Sequence, residues 1–284
     1  PNALRDTLVL TLGGGQGERL YPLTRDRAKP AVPFGGLYRI IDFTLSNCLN
    51  SGMRRIYILT QYKSISLQRH LRLAWSLFQE EMGECLVSVP PQQRMSQHWY
   101  LGTADAVYQN IYTLQQERPQ RVLILAGDHL YKMDYEKMIL FHVEKGADVT
   151  VACVAVPKSE GSRFGIMEID ADSRIVAFEE KPASPKCMPG SADKCLASMG
   201  IYVFNTDILV QKVSEDAKQD THHDFGRDIL PRMIHTNGAY AVCFDDVAPS
   251  DRYWRDIGTI DAYWEASMDL LGPVPAFDLF DKTW

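Results

Sequence analysis

Residues 8–30 read LVLTLGGGQGERLYPLTRDRAKP. Leu8 to Leu12 is a short, bounded apolar run, the pattern of a buried strand. It stops at Gly13, Gly14 and Gly15, and Gly17 follows. Glycines at the end of a strand let successive backbone N–H groups turn toward one point and form a nest for an anion. Arg19 and Lys29 add two cations close by in sequence, so the stretch suggests a polyphosphate site. Two familiar loops fail here. A dinucleotide loop, G-x-G-x-x-G, would need glycine where Glu18 stands, and a carboxylate there repels pyrophosphate. A P-loop would need Gly-Lys-Ser/Thr, and no register of the stretch supplies it.

Working outward, apolar runs at 8–12, 56–59, 86–89 and 122–126 alternate with helix-like patterns at 65–78 and 103–117 and with a helix from near Ile40 to Asn50, closed by Gly52. Strands alternating with helices predict an α/β fold, a mostly parallel sheet covered on both faces, with ligands at the carboxyl ends of the strands. After about residue 147 the runs 148–156, 164–169, 174–179 and 198–204 are rich in Val, Ile and Phe and predict added, partly antiparallel β-structure. The stretch 182–197, PASPKCMPGSADKCLA, reads as an exposed, mobile loop. Helical patterns return at 224–236 and 259–271, and 272–284 reads as a linker.

The totals exclude several classes. A chain of 284 residues holds one large or two modest domains and can bury roughly three-quarters of its unfolded surface. Its net charge of −6 disfavours a nucleic-acid or anionic-membrane surface. No apolar run reaches the length of a membrane span, and no signal peptide is visible. The chain begins at Pro1 rather than Met. The six cysteines form no C-x-x-C motif, and several sit in apolar runs, which points to a reducing compartment. Cys187 and Cys195 flank a Pro/Gly/Ser loop and are near enough in sequence to pair in principle.

Several residues stand where chemistry is expected. Asp128 follows the apolar run 123–126 at a strand's carboxyl end, although a turn or capping Asp reads the same way. Mg²⁺ takes one or two carboxylates and fills its shell with phosphate oxygens and waters. Asp256, in YWRDIGT, is a second candidate that only the fold can bring to Asp128. Lys181, before Pro182, is expected in an extended conformation and projecting from a strand edge; alone it reads more readily as a solvated lysine. Trp99 and Tyr100 precede Gly102-Thr103, a tight turn into a helix whose N-terminus attracts anions. Asp224-Phe225-Gly226 matches a kinase tripeptide without the accompanying kinase motifs and is set aside as chance. His222-His223 lacks metal-ligand spacing.

The pattern G-G-x-G-x-R-L-x-P-L-T followed by K-P (Gly14, Gly15, Gly17, Arg19, Leu20, Pro22, Leu23, Thr24, Lys29, Pro30) resembles the signature of the sugar-nucleotide pyrophosphorylases. With RAKPAV at 27–32, FGG at 34–36, RIIDF at 39–43, LSNCLNSG at 45–52, TQY at 60–62, WYLGTADAVYQN at 99–110, LAGDHLYKMDY at 125–135, EEKP at 179–182 and YWRDIGT at 253–259, nearly the whole chain resembles the bacterial glucose-1-phosphate adenylyltransferase family. The resemblance implies a Rossmann-like, glycosyltransferase-A-like nucleotidyltransferase fold with a mixed, mostly parallel sheet flanked by helices. It also implies one catalytic domain over residues 1–271, with 272–284 leading toward a left-handed β-helix. The family reaction is ATP plus α-D-glucose 1-phosphate giving ADP-glucose and diphosphate, for glycogen or starch synthesis.

By the same resemblance, Gly14 and Gly15 cradle the nucleotide, and Arg19 and Lys29 neutralise its phosphates. Asp128 and Asp256 hold Mg²⁺. Lys181 grips the phosphate of glucose 1-phosphate, with Glu180, Tyr100, Gly165 and Ser198 around the sugar, and Gly102 is a further substrate-binding residue. Gln92 or Gln93 reads the adenine. A cytoplasmic allosteric homotetramer is implied, with neither nucleic acid nor membrane as a partner. A regulatory, non-catalytic subunit and a relative using another nucleotide or sugar phosphate are the alternatives. Asp26 departs from the family, in which many members carry a basic residue that helps bind a sugar-phosphate activator; an altered activator preference is expected, and unchanged activation by fructose 1,6-bisphosphate would count against it. Gly13, where alanine is usual, is a smaller departure.

Overall fold

The computed structural model describes residues 2–15, 17–92, 99–236, 238–244 and 253–284. In chain order the strands are β1 (Thr7–Leu12), β2 (Pro33–Phe34), β3 (Tyr38–Arg39), β4 (Arg55–Leu59), β5 (Cys85–Val89), β6 (Arg121–Ala126), β7 (His129–Tyr131), β8 (Val149–Pro157), β9 (Gly165–Ile169), β10 (Ile175–Glu180), β11 (Lys194–Asn205), β12 (Ala239–Cys243) and β13 (Trp254–Asp256). The helices are α1 (Asn2–Arg5), α2 (Ile40–Asn50), α3 (Ile65–Ala74), α4 (Thr103–Tyr108), α5 (Ile111–Glu117), α6 (Tyr135–Glu144), α7 (Thr206–Asp216), α8 (Leu230–Met233) and α9 (Ile260–Met268). The expected alternation is present: mixed β-pairing, flanked by helices, in a Rossmann-like arrangement. The described residues fall into two compact units, one drawn from 9–91, 125–135 and 247–284 and the other from 1–8, 92–124 and 136–246.

The first, the glycine-loop unit, carries parallel pairing of β1 with β4 and of β4 with β5. Val9 and Leu10 are buried, as a strand covered on both faces requires. A second core of Leu20, Val32, Phe34, Ile40, Phe43, Leu130, Tyr253 and Ile257 lies under the segments that carry the site. The segment 272–284 packs onto this unit: Phe277 stacks on Tyr253 with centroids 4.6 Å apart, Lys132 pairs with Asp281 at 2.8 Å, and Trp284 donates to Asn47 at 2.9 Å.

The second, antiparallel unit is built on β11, which pairs antiparallel with β6, β8 and β9, while β12 lies parallel to β8. A bulge between Ser198 and Tyr202 interrupts its pairing with β8, with Gly200 left-handed at φ 69°. A bulge of this kind bends a strand and re-aims a side chain.

Four local expectations are corrected. β11 starts at Lys194, inside the stretch read as loop, because Lys194 to Ser198 pair with Pro157 to Cys153 and bury Cys195, Leu196 and Ala197. The prolines that suggested a loop all precede it, and Lys158 N–H to Asp193 O (2.7 Å) fastens the remainder. The pattern at 103–117 breaks into α4 and α5 where the Asn110 amide donates to the Ala106 carbonyl at 2.7 Å, competing with the helix ladder. The pattern at 65–78 ends as helix at Ala74. The pattern at 224–236 is a π-turn, Phe225–Ile229, followed by the short α8, with Pro231 in its first turn lacking a donor.

Candidate active site

In the glycine-loop unit, the chain leaves β1 and closes a turn at Gly17, whose φ of 62° suits glycine, with the Thr24 hydroxyl donating to the Gly17 carbonyl at 2.8 Å. Around it lies a cavity of about 460 Å³ lined by Gly14, Gly15, Arg19, Lys29, Asp128 and Gly258. A side chain at Gly15 would enter open space, so this glycine leaves room for a ligand rather than for neighbouring protein. Arg19 is exposed in the 3₁₀ turn Glu18–Leu20, and Glu18 also lines the cavity. Asp26 is exposed and pairs with Arg25 at 2.9 Å.

β6 ends at Ala126, which sets Asp128 at its carboxyl end as expected. The ribbon of β7 and β13 brings up the second carboxylate, because Asp256 lies opposite His129 in its register. Buried Leu130, Tyr253 and Ile257 anchor the ribbon on both sides. Lys29 joins the two acids: its Nζ donates to Asp128 Oδ2 at 2.8 Å and lies 3.7 Å from Asp256 Oδ1. His129 Nε2 lies 3.6 Å from Asp128 Oδ1 and 3.7 Å from Asp256 Oδ1, its Nδ1 is buried with no hydrogen-bond partner among the described residues, and its ring meets Trp254 edge-on at 5.6 Å.

Burial opposes ionisation of Asp128, but the Lys29 ammonium, then His129, outweigh it and hold the carboxyl down to about 2. Folding therefore favours the ionised form, and the stability this adds is present above the ordinary value of 3.8 and is lost as pH falls toward 2. The urea midpoint of the protein is expected to fall over that interval by more than that of Asp128→Asn, and parallel curves would refute the pairing.

The two carboxylates that converge on Lys29 are oxygen donors of the kind a hard divalent cation takes. Among the described residues no group of three or more His, Cys, Asp or Glu is placed to hold a metal. An ion here would thus complete its shell from phosphate and water, as Mg²⁺ does with nucleotides.

In the antiparallel unit a separate constellation surrounds Glu180. Gly165 is its partner across β9 and β10, and a Cβ on Gly165 would lie 2.7 Å from Glu180 Oε2. A Cβ on Gly226 would lie 2.6 Å from the same oxygen, so two glycines make the seat of one carboxylate. Lys181 Nζ lies 3.1 Å from Glu180 Oε1, with 64% of its side chain exposed. The extended conformation expected for Lys181 is corrected: its φ is 49°. Its N–H still donates to the Phe164 carbonyl at 3.0 Å, and the chain turns immediately beyond, off the strand edge. An L-residue held left-handed costs about 1–2 kcal/mol, which the surrounding contacts must offset.

Tyr100 is half-buried and accepts from Asn110 at 3.0 Å. Burial, more than any neighbour, pushes its phenol up, so it keeps a proton to donate. Ser198 sits at the β11 bulge, and its Oγ accepts from Gly200 N–H at 3.3 Å. Gln92 is exposed, while Gln93 lies outside the described residues.

The anion site expected at the start of α4 is corrected. The His223 carbonyl accepts from Ala104 N–H at 2.8 Å and Asp105 N–H at 3.4 Å, so the helix end is already capped by protein. Gly102 is needed for that approach, because a Cβ there would collide with the carbonyl oxygens of His222 and His223. Sequence reasoning thus passed over the segment 222–226. His223 Nδ1 pairs with buried Asp216 at 2.8 Å, Asp224 accepts from the Thr103 hydroxyl at 2.9 Å, and Phe225 packs against Tyr202 with centroids 5.6 Å apart. The signal available was the pair of histidines followed by Asp-Phe-Gly, whose meaning depends on Glu180, far away in sequence.

Among the described residues no helix is long and apolar enough to cross a membrane. Residues 8–272 match the family model for nucleotidyl transferases. The chain is 56% identical to the glucose-1-phosphate adenylyltransferase of Rhodopirellula baltica over 284 residues, covering 99% of this chain and 64% of that protein. It is 53% identical to glucose-1-phosphate adenylyltransferase 2 of Vibrio cholerae over 285 residues (99% and 70%) and 55% identical to glucose-1-phosphate adenylyltransferase 2 of Alkalilimnicola ehrlichii over 281 residues (99% and 67%). The chain spans about two-thirds of the length of these relatives. A glycine cavity with two carboxylates on one lysine, a family match over almost every residue and identities above 50% lead to one conclusion: the chain belongs to the nucleotidyl transferase family, on its glucose-1-phosphate adenylyltransferase branch.

Proposed function

We propose that the chain transfers the adenylyl group of ATP to α-D-glucose 1-phosphate, giving ADP-glucose and diphosphate. The observation that carries this reading is the joining of Asp128 and Asp256 by Lys29 beside the glycine cavity. A phosphate oxygen of the sugar phosphate attacks the α-phosphorus in line as the bond to diphosphate breaks. That oxygen is already anionic at neutral pH, so positioning and charge neutralisation suffice and no strong base is required. Gly14 and Gly15 admit the triphosphate, and Arg19 and Lys29 neutralise the leaving diphosphate. Asp128 and Asp256 would hold Mg²⁺, which when bound offsets negative charge at the α-phosphate. Lys181 binds the sugar phosphate, with Glu180, Tyr100, Gly165 and Ser198 shaping the sugar contacts, while Gln92 or Gln93 serves the base.

On this reading the protein works in the cytoplasm as a homotetramer in glycogen or starch synthesis, which its six cysteines, joined in no disulfide among the described residues, support as regards compartment. Diphosphate release is measured with glucose 1-phosphate and Mg²⁺, offering ATP, UTP, dTTP, GTP and CTP separately. Release with ATP alone is expected. Release with another nucleotide overturns the substrate, and silence with all five in the full-length protein favours a regulatory subunit. Lys181→Ala is expected to raise KM for glucose 1-phosphate roughly tenfold or more, with little change in KM for ATP, because it removes a charged hydrogen bond to one substrate only. An unchanged KM would remove Lys181 from the sugar-phosphate contacts.

A further inference from the structure

We propose that Cys153 and Cys243 form a modification site, a thiol pair that an oxidant joins reversibly as a disulfide. The cysteines are 90 residues apart in sequence, yet they are register partners on the parallel strands β8 and β12, with sulfurs 3.5 Å apart. Cys153 is fully buried and its Sγ donates to the Val242 carbonyl at 3.4 Å, which holds it beside β12. Cys243 is only half-buried, so it is the sulfur an oxidant reaches first.

The chemistry balances with hydrogen peroxide. The Cys243 thiolate attacks one peroxide oxygen and the O–O bond breaks; the departing hydroxide takes up the thiol's proton as water, leaving a sulfenic acid. The Cys153 sulfur then attacks the sulfenic sulfur, the S–O bond breaks, and a second water leaves with the Cys153 proton. Two thiols have lost two electrons to one peroxide, and a dithiol reductant restores them by exchange.

The bond has a structural consequence. Sulfurs 3.5 Å apart must approach by roughly 1.5 Å to reach bonding distance. Cys153 also faces Ser198 on β11, so Ser198, Cys153 and Cys243 form one row across three strands. Ser198 ends the regular pairing at the bulge, where the ladder yields most readily. Drawing β8 toward β12 therefore displaces the partner strand at Ser198. This second part rests on the proposed role of Ser198 in sugar-phosphate binding.

The full-length protein is treated with hydrogen peroxide, alkylated and digested, and its kinetics are measured before and after. The expected result is a linked peptide joining Cys153 to Cys243, lighter by two hydrogens and released by dithiothreitol. KM for glucose 1-phosphate rises roughly tenfold or more, since a displacement of about an ångström is costly at a positioned substrate. Cys243→Ser keeps the reduced kinetics and loses both responses. Recovery of both cysteines as alkylated thiols, or a link between Cys187 and Cys195 in their place, overturns the site. A link that leaves KM unchanged overturns the coupling to Ser198. Failure of the adenylyltransferase reading shows separately, as inactivity of the reduced protein before any oxidant is added.

Discussion

Asp128→Asn is expected to lower turnover at saturating substrates by about 10²–10³-fold, the range seen when one group that stabilises transition-state charge is removed. The substitution keeps the shape of the side chain and removes its charge. Lys29, with only 11% of its side chain exposed, is then left with Asp256 at 3.7 Å as its one carboxylate partner among these acids. A buried ammonium without a close counter-charge is itself unfavourable, so a modest loss of stability accompanies the loss of rate. Stopped diphosphate assays give turnover, and Mn²⁺ binding followed by electron paramagnetic resonance gives a readout independent of catalysis. Weakened Mn²⁺ binding together with low turnover supports the role of Asp128 in holding the metal. Turnover within about threefold of the parent protein would remove Asp128 from the reacting centre.

Gly102→Ala is expected to destabilise the protein by about 1–3 kcal/mol, the usual cost of forcing atoms into a packed site. The obstacle is backbone, which cannot rotate away: the new Cβ meets the carbonyl oxygens of His222 and His223 and lies 2.7 Å from the His223 carbonyl carbon. Moving that segment breaks the cap on α4 and loosens the contact of the Thr103 hydroxyl with Asp224. It also moves Gly226, against which the Glu180 carboxylate is seated. The effect should therefore appear in glucose 1-phosphate kinetics as well as in urea unfolding, and more weakly in KM for ATP. A midpoint equal to that of the parent protein would show that segment 222–226 yields freely and does not position Glu180.

These two residues differ in how far the sequence announced them. Asp128 was legible because a buried strand carries a local signature and chemistry gathers at its carboxyl end. Its partnership with Asp256 was not legible, since it depends on the β7–β13 ribbon and on the hydrophobic anchors Leu130, Tyr253 and Ile257. Gly102 reads in sequence as the entrance to a helix, but the cap comes from His223, and local sequence cannot tell an open helix end from one already filled. Lys181 shows the converse case. The preference set by Pro182 is a local tendency, and the pairing of Lys181 N–H with Phe164 followed by a sharp turn overrode it.

By itself the sequence determined the alternation of strands and helices, the glycine loop and its cations, and the family. These rest on composition and spacing within a few turns of chain, where sterics and burial act locally. Only the tertiary structure decided which acids share Lys29, which backbone closes the start of α4, how Gly165 and Gly226 seat Glu180, and that Cys153 faces Cys243. Each joins residues far apart along the chain, and such contacts exist only once long loops have been closed and the cores beneath them have packed, a cooperative outcome that no short stretch of sequence encodes.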